Sequence, residues 1–148
     1  MELKFSTRTF AELKPFELYA YLQLRSEVFV VEQNCVYQDL DNKDQLSFHI
    51  FAHYLDELVA CARIVPGGVG YPEISIGRVI VAQAYRNKQI GHQLMAYCVT
   101  QIERHFGAQP VVLSAQAHLQ EFYKKHNFAP VGDIYLEDGI PHIHMIRN

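Results

Sequence analysis

A basic turn between a predicted strand and a predicted helix is the part of this sequence best suited to bind an anion. The turn reads Arg86-Asn87-Lys88-Gln89-Ile90-Gly91; apolar residues 79–84 precede it, and residues 92–106 have a helical pattern. The first backbone N–H groups of a helix have no partner within the helix, and the helix dipole favours negative charge there. The turn therefore predicts a phosphate-binding site, with Arg86 as its charged partner.

The composition excludes several classes of protein. The chain has 148 residues, 49% hydrophobic and 20% charged, which predicts one ordered globular domain over residues 1–148. The formal net charge of −3 argues against nucleic-acid binding. Because no apolar run has signal-peptide or membrane-spanning length and the three cysteines form no CxxC pair, we expect a cytoplasmic protein with reduced thiols and no membrane partner. Cys35, in a polar neighbourhood, is the thiol expected to be exposed.

Apolar periodicity predicts an order of elements in which strands surround helices. Strands are predicted at residues 3–10, 48–55, 58–65, 73–81, 111–114, 131–136 and 140–146, and helices at 15–33, 88–106 and 117–126. Hairpin turns are predicted at Asp56-Glu57 and at Glu137-Asp138-Gly139, and the third helix is expected to end near Asn127. This order predicts an α/β or α+β layered domain, with a mixed central sheet flanked by helices.

Two motifs resemble the signatures of the GNAT superfamily of acyl-CoA-dependent N-acetyltransferases. Arg86-x-x-Gln89-x-Gly91 is similar to the family's cofactor turn, Arg/Gln-x-x-Gly-x-Gly/Ala, and residues 122–128, Phe-Tyr-Lys-Lys-His-Asn-Phe, to its second signature, Phe-Tyr-x-Lys-x-Gly-Phe. Blocks at residues 30–33, 37–41, 75–79, 113–117 and 135–142 are similar to the ElaA-like subfamily. The resemblance covers nearly the whole chain and implies the GNAT fold, with acetyl-CoA as cosubstrate.

The resemblance implies a coenzyme A site with two parts. The pyrophosphate would bind the start of the second helix, and the pantetheine amides would pair with the end of the long strand like another strand. A splay between residues 73–81 and residues 111–114 would open the slot for the pantetheine arm. The matching positions are Val79, Ile80, Val81, Arg86, Gln89, Ile90, Gly91, His92 and Gln116.

Gln89 departs from the family pattern, because it stands at the first glycine of the cofactor turn, where backbone and phosphate approach closely. Either its side chain points outward at a tolerated dihedral angle, or the pyrophosphate binds slightly differently. His92 is either a phosphate contact or a solvated histidine at the helix start. Asn127 replaces the glycine of the second signature and tolerates the left-handed conformation.

Transfer of acetyl from a thioester to an amine needs a neutral amine, stabilisation of the carbonyl oxygen and a proton for the thiolate. The resemblance implies that Tyr123 protonates the thiolate, with a packing role as the alternative, and that a backbone N–H near Val79 or Ile80 stabilises the oxygen. Glu73 and Ser75, two residues apart on one predicted strand, are the candidates for deprotonating the amine, Ser75 only through water.

The candidate acceptor-binding residues are Glu32, Arg78 and His142. Capping is the alternative for Glu32, and a buried pairing with a carboxylate is the alternative for Arg78. His142 lies in a block shared with the subfamily and would line a polar pocket. The eight histidines suggest a metal site, but none has a Cys or Asp companion at ligand spacing, so we expect no metal.

The sequence as a whole predicts an N-acetyltransferase that transfers acetyl from acetyl-CoA to a primary amine by direct attack. The acceptor is a small molecule or an amine of a peptide or protein, and a homodimer is compatible with the sequence. One alternative is an acyl-homoserine-lactone synthase, since residues 25–29 and 73–78 are similar to that family, although the tryptophans typical of it are absent. The other is a non-catalytic acyl-CoA-binding sensor, suggested by Gln89 and the lack of an evident base.

Overall fold

A computed structural model describes residues 1–148 as one seven-stranded mixed sheet flanked by three α-helices. The strands are β1 (Lys4–Thr9), β2 (Phe48–Tyr54), β3 (Glu57–Val65), β4 (Ile74–Val81), β5 (Val111–Gln116), β6 (Ala129–Glu137) and β7 (Ile140–Arg147), and the helices are α1 (Pro15–Ser26), α2 (Ile90–Phe106) and α3 (Gln120–Lys124). The strand order is β1-β2-β3-β4-β5-β7-β6, and only the β4–β5 pair is parallel. The predicted layered domain with a mixed sheet is confirmed.

The two faces of the sheet bury two separate apolar clusters. Leu94 and Met95 of α2 pack with Leu113 of β5 on one face, and Tyr21 of α1 packs with Phe51 and Ile80 on the other. Successive side chains of a strand point to opposite faces. Because Leu113 faces α2, the alternating polar residues Ser114 and Gln116 of β5 face the α1 side. Side chains from both faces of the sheet therefore line the space between β4 and β5.

β4 and β5 separate after two residue pairs. Ile74 pairs with Val111 and Ser75 with Val112, whereas the remainder of each strand, to Val81 in β4, has no partner across this gap. The predicted splay between the two strands is confirmed. Backbone N–H and C=O groups along its edges are left without a ladder partner, although such groups normally have one. The gap therefore offers an extended ligand the hydrogen bonds of a missing strand.

β4 contains a bulge beside this gap. Gly77 pairs with Arg63 and Ile80 pairs with Cys61, so that Arg78 and Val79 together lie opposite a single residue of β3. The bulge places Arg78 at a φ of 49°, in the left-handed region that L-residues rarely adopt. An extra residue of this kind bends a strand and redirects its backbone and side chains locally.

Two of the local predictions are confirmed by the backbone. Asn127 has a φ of 67° and follows the last helix, as expected of a residue that tolerates the left-handed conformation. The β6–β7 hairpin turns at Asp138 and Gly139, with φ values of 52° and 77°. The first helix also extends nearly as predicted, because wider π-helical turns at Glu27–Glu32 continue α1.

None of the helices combines the length and apolarity needed to cross a bilayer.

The predicted start of the second helix at Lys88 is wrong. α2 begins at Ile90, because Gln89 has a φ of 63° and so cannot continue a right-handed helix backward. The predicted third helix, 117–126, is also too long. Residues 117–119 form a 3₁₀ turn, and the α-helical part is confined to Gln120–Lys124.

The predicted turn of the first hairpin is displaced by one residue. The turn consists of Leu55 and Asp56, with φ values of 49° and 66°, and Glu57 already pairs with Tyr54. Two central residues with positive φ form the turn whose twist matches that of the flanking strands. This geometry outweighs the ordinary preference for glycine or asparagine at such positions.

Candidate active site

The gap between β4 and β5 widens into a cleft of about 1110 Å³. It is lined from both faces of the sheet, by the π-helical turns Glu27–Glu32 and the loop after them on one side and by α2 and α3 on the other. Most of the predicted site residues line this cleft, and their roles stay predictions. They are Glu32, Ser75, Arg78, Val79, Ile80, Val81, Arg86, Gln89, Gly91, His92, Gln116, Tyr123 and His142.

Two predicted site residues do not line the cleft with their side chains. Ile90 is 1% exposed and packs in the α2 cluster, so that only its backbone is available at the helix start. Glu73 precedes β4, which begins at Ile74, and does not line the cleft. The sequence expected Glu73 and Ser75 to share one strand, but Ser75 alone lies in β4 and lines the cleft.

The start of α2 is built as an anion-binding end. The helix has 17 residues, and the N–H groups of Ile90, Gly91 and His92 have no carbonyl one turn earlier to bind. A Cβ atom on Gly91 would lie 3.2 Å from Cε1 of Phe122, whose ring is packed against the rings of His92 and Tyr123 at 4.6 and 5.0 Å between centroids. The residues present therefore fit a phosphate group: free amides with a side-chain-free backbone at their centre.

The side chain of His92 is hydrogen-bonded to a second histidine, His126. Its Nδ1 lies 2.9 Å from Nε2 of His126, in a hydrogen bond that requires one of the two nitrogens to carry the proton. Burial, together with the neighbouring His92 and Arg147, lowers the pKa of His126 below its usual value. A phosphate contact by His92 would therefore use its other nitrogen.

Arg86 and Glu32 are bonded to each other across the cleft mouth. The guanidinium donates from Nη1 to Oε2 of Glu32 at 2.6 Å, from Nη2 to Oε1 at 3.0 Å, and from Nε to the carbonyl oxygen of Val81 at 3.0 Å. The sequence assigned Arg86 to the cofactor and Glu32 to the acceptor. The structure joins the two, so an anion at the helix start must share Arg86 with Glu32.

Arg78 belongs to a largely buried network of six charged side chains, of which the sequence indicated only a possible carboxylate partner for Arg78. Its Nε donates to Oδ1 of Asp39 at 2.7 Å, and its Nη2 lies 3.4 Å from Oδ2 of Asp41. The network contains three arginines and three aspartates, so its formal charges cancel. The members are Arg25, Arg63, Arg78, Asp39, Asp41 and Asp44.

This network attaches the loop after α1 to β3 and β4. Burial alone would raise the pKa values of Asp41 and Asp44. Hydrogen bonds from Arg63 to Asp41 and from Arg25 to Asp44 outweigh the effect of burial and hold both pKa values below the usual range. The carboxylates are therefore charged at neutral pH and fully engaged. For Arg78, the structure shows the carboxylate pairing that the sequence left open as the alternative.

Tyr123 reaches the cleft from α3, on the α2 face of the sheet. Its side chain is 7% exposed, and its hydroxyl takes part in no side-chain hydrogen bond. Burial raises the pKa of this phenol further above its ordinary value of 10. The hydroxyl is thus protonated at neutral pH and has a proton to donate into the cleft.

A polar cluster lies on the opposite face of the sheet, between β5 and the β6–β7 hairpin. Ser114 Oγ is hydrogen-bonded to the hydroxyl of Tyr135 and lies 3.3 Å from Oε1 of Glu137. Oε2 of Glu137 is 3.4 Å from Nε2 of His142, whose Nδ1 is 2.7 Å from the carbonyl oxygen of Ile140. No three His, Cys, Asp or Glu side chains of the protein are grouped as a metal site requires.

Sequence reasoning selected His142 from this cluster but missed Glu137 and Ser114. Glu137 adjoins the Asp-Gly turn, where an acidic residue is unremarkable, and Ser114 ends a predicted buried strand. The register between β5 and β7 places Ser114 opposite His144 and Gln116 opposite His142, and no local pattern contains that information. The available signal was the block at 135–142, which contains both Glu137 and His142.

Comparison with known proteins supports the resemblance to the GNAT superfamily over most of the chain. Residues 16–148 match the family model for the acetyltransferase (GNAT) domain. Protein ElaA of Escherichia coli strain K12 is 50% identical over 139 residues, 93% of this chain and 91% of that protein. The crystal structure of E. coli ElaA, at 46% identity, superposes with a TM-score of 0.93 over 99% of this chain and 100% of that one.

Two further crystal structures share the architecture. An acyl-CoA N-acyltransferase from Pseudomonas aeruginosa superposes with a TM-score of 0.94 at 43% identity, over 99% of this chain and 100% of that chain. A GNAT family acetyltransferase from Elizabethkingia anophelis with acetyl-CoA bound has a TM-score of 0.65 at 17% identity, over 98% of this chain and 97% of that one, and so shares the fold alone. On the family model and these relatives, the chain belongs to the GNAT acetyltransferase family.

Proposed function

We propose that this protein transfers acetyl from acetyl-CoA to a primary amine by direct attack of the amine on the thioester. The observation that supports this most is the cleft between β4 and β5, which joins free helix-start amides to the Tyr123 hydroxyl. The acceptor is a small amine or an amine of a peptide or protein. The protein acts in the cytoplasm, a reducing compartment suited to its three free cysteines.

Acetyl-CoA binds along the gap in the sheet. Its pyrophosphate lies at the N–H groups of residues 90–92, with Arg86 as its charged partner, and its pantetheine amides bond to the unpaired edge of β4 at Val79 and Val81. The separation of the strands supports this arrangement, because the cofactor arm has amides of its own that can replace the missing ladder bonds. Gly91 keeps the phosphate end of the cleft free of a side chain.

Two groups on the chain act on the thioester. The backbone N–H at the bulge, near Val79 or Ile80, donates to the carbonyl oxygen as negative charge develops there. The Tyr123 hydroxyl donates a proton to the leaving sulfur, which its uncharged state at neutral pH supports. No covalent enzyme intermediate is needed, and Cys61 and Cys98 are fully buried.

The proposal is tested by incubating the purified protein with acetyl-CoA and a panel of primary amines. Thiol release and the mass of the acetylated product are measured, and acetyl-CoA binding is measured separately by calorimetry. We expect binding, with thiol release that depends on the added amine. Binding without turnover for any amine would show an acyl-CoA sensor instead, and absence of binding would refute both functions.

A further inference from the structure

We propose that Glu137 and His142 together accept the proton that a cationic amine must lose before it can attack. This inference rests on the proposed acetyl transfer and concerns its acceptor side. A primary alkylamine is protonated at neutral pH and has no free lone pair in that state. An N-acetyltransferase therefore needs a proton acceptor in its cleft, on the side from which the amine arrives.

The hydrogen bonds of His142 determine which of its nitrogens can take up a proton. Nδ1 lies 2.7 Å from the carbonyl oxygen of Ile140, and because a carbonyl oxygen only accepts, Nδ1 carries a hydrogen. In the neutral ring Nε2 then has a lone pair, which faces Oε2 of Glu137 at 3.4 Å. A lone pair facing a carboxylate is unfavourable until one proton lies between them, so the pair has room for one proton.

The other carboxylates that line the cleft are bonded to arginines, except that of Asp138, which is exposed in the β6–β7 turn and faces no histidine. Glu32 accepts two hydrogen bonds from Arg86, and Asp41 accepts two from Arg63 at 2.8 Å each. Glu73 does not line the cleft. Glu137 is contacted by the Ser114 hydroxyl and the His142 imidazole instead of an arginine, and its side chain is 48% exposed. Among the carboxylates that line the cleft, Glu137 is therefore the one that has no arginine partner and faces a histidine.

Glu137 and His142 also lie on the side of the sheet that the reaction requires. Ile143 and Met145 of β7 pack in the α2 cluster, so the alternating residue His142 points to the α1 face, as Ser114 does. Tyr123 reaches the same cleft from α3, on the α2 face. The proton acceptor for the amine and the proton donor for the thiolate thus approach the gap from opposite faces of the sheet.

The proposed step balances as follows. The N–H bond of the ammonium breaks and an Nε2–H bond forms, which leaves a neutral amine beside an imidazolium–carboxylate pair. The amine nitrogen then bonds to the carbonyl carbon, and the C–S bond breaks with its electrons on sulfur. Tyr123 gives the sulfur a proton and regains one from the attacking nitrogen. His142 finally releases its proton to water, so that one proton leaves per amide formed.

The experiment compares amines of different basicity with the wild-type protein and with Glu137→Gln and His142→Asn. The asparagine keeps a donor for the Ile140 carbonyl but removes Nε2. We expect kcat/KM for an alkylamine at pH 7 to fall by about 100-fold or more in both variants. For an aromatic amine, which is neutral at that pH, we expect a change of less than about threefold, because no proton needs to be removed before attack.

His144→Asn is the matched control, since His144 lies on the same strand and face two residues away and does not line the cleft. It is expected to leave both amines unaffected. An equal loss for both amines in Glu137→Gln would show a structural role and overturn the inference, as would no loss at all. A wild-type protein that acetylates no amine would instead refute the proposed function, and this inference with it.

Discussion

Arg86 and Glu32 form a two-point ion pair between the turn before α2 and the end of the π-helical turns that follow α1, at 2.6 and 3.0 Å. Each side chain is about one-third exposed, at 36% and 30%. The pair thus connects, across the cleft mouth, the turn before α2 with the segment that follows α1. The pyrophosphate of coenzyme A, bound at the helix start as proposed, would attract the same guanidinium, so the carboxylate and the phosphate would compete for one cation.

Glu32→Gln is therefore expected to increase the affinity for coenzyme A. The amide keeps the shape of the side chain but removes the charge that competes for Arg86, and we expect the Kd to fall by about three- to tenfold, which is the effect of about 1 kcal/mol. Isothermal calorimetry at low ionic strength measures this. Glu121→Gln, an exposed acid on α3, is the control and is expected to leave the Kd unchanged. A weaker affinity in Glu32→Gln would mean that the carboxylate positions Arg86 for the phosphate.

Gly91→Ala is expected to destabilise the fold and weaken coenzyme A binding. The new Cβ would lie 3.2 Å from the ring of Phe122, which its aromatic neighbours prevent from moving away. Overpacking costs about 1–3 kcal/mol, and the helix propensity of alanine returns about 1 kcal/mol of it. Urea unfolding measures the net loss. A second substitution, Phe122→Leu, should recover part of the stability, and failure to recover any would place the strain elsewhere.

Gln89→Gly is expected to stabilise the protein. The left-handed conformation at φ 63° costs an L-residue about 1–2 kcal/mol, and glycine loses about 0.5–1 kcal/mol of this gain through its greater freedom when unfolded. We expect the free energy of unfolding to rise by about 0.5–1 kcal/mol in urea titrations. Lys88→Gly, one residue earlier and without a positive φ, should lower it instead. Equal effects of the two substitutions would contradict this account.

Tyr123→Phe is expected to lower turnover far more than acetyl-CoA affinity. The substitution removes the proton donor to the thiolate while the ring still packs against Phe122 and Phe128. Loss of a general acid lowers kcat by about 100-fold or more, whereas the Kd should change by less than about twofold. Steady-state kinetics and calorimetry give the two values. Unchanged turnover would remove Tyr123 from the reaction and leave it a packing residue.

The buried His49 is expected to make stability depend on pH. Its ring bonds to the Tyr21 hydroxyl and to the Asp44 carbonyl oxygen at 2.8 Å each, and burial lowers its pKa below the ordinary 6.5. Below about pH 6.5 the unfolded chain binds a proton that the folded chain excludes, so the free energy of unfolding falls as the pH decreases until the folded pKa is reached.

Urea unfolding at pH 7.5 and pH 5.5 checks this dependence. The loss of stability between the two values should be smaller in His49→Gln than in the wild-type protein, whatever the stability of the variant at pH 7.5. His105→Gln, at an exposed position on α2, should keep the full loss. An unchanged loss in His49→Gln would assign the dependence to other groups.

Structural features that are determined by residues close together in the sequence, such as strands and some tight turns, were predicted correctly. The alternation of apolar residues located all seven strands, and Asn127 and the Asp138-Gly139 turn have the backbone conformations that their residue types predict. The displaced turn at Leu55 and Asp56 shows the limit of this reasoning. There the twist of the paired strands imposes positive φ on residues that do not favour it.

Side-chain partners distant in sequence were not accessible. Arg78 is 39 residues from Asp39, and Arg86 is 54 residues from Glu32. From the sequence, Arg78, Arg86 and Glu32 were each assigned a role towards a ligand, because the residue type alone suits an anion or a cation. Only the fold shows that another side chain already satisfies them. Glu137, left without an arginine, became a candidate for the same reason.

The short junction between β4 and β5 has a mechanical consequence. The sheet consists of two ribbons, β1–β4 and β5–β7–β6, whose ladders meet at two residue pairs near one end. Beyond these pairs no backbone hydrogen bond joins the two ribbons, and their relative position depends on side-chain packing, in which α2 contacts both. The width of the cleft is therefore set by the core packed between α2 and the sheet, and not by hydrogen bonds between its two walls.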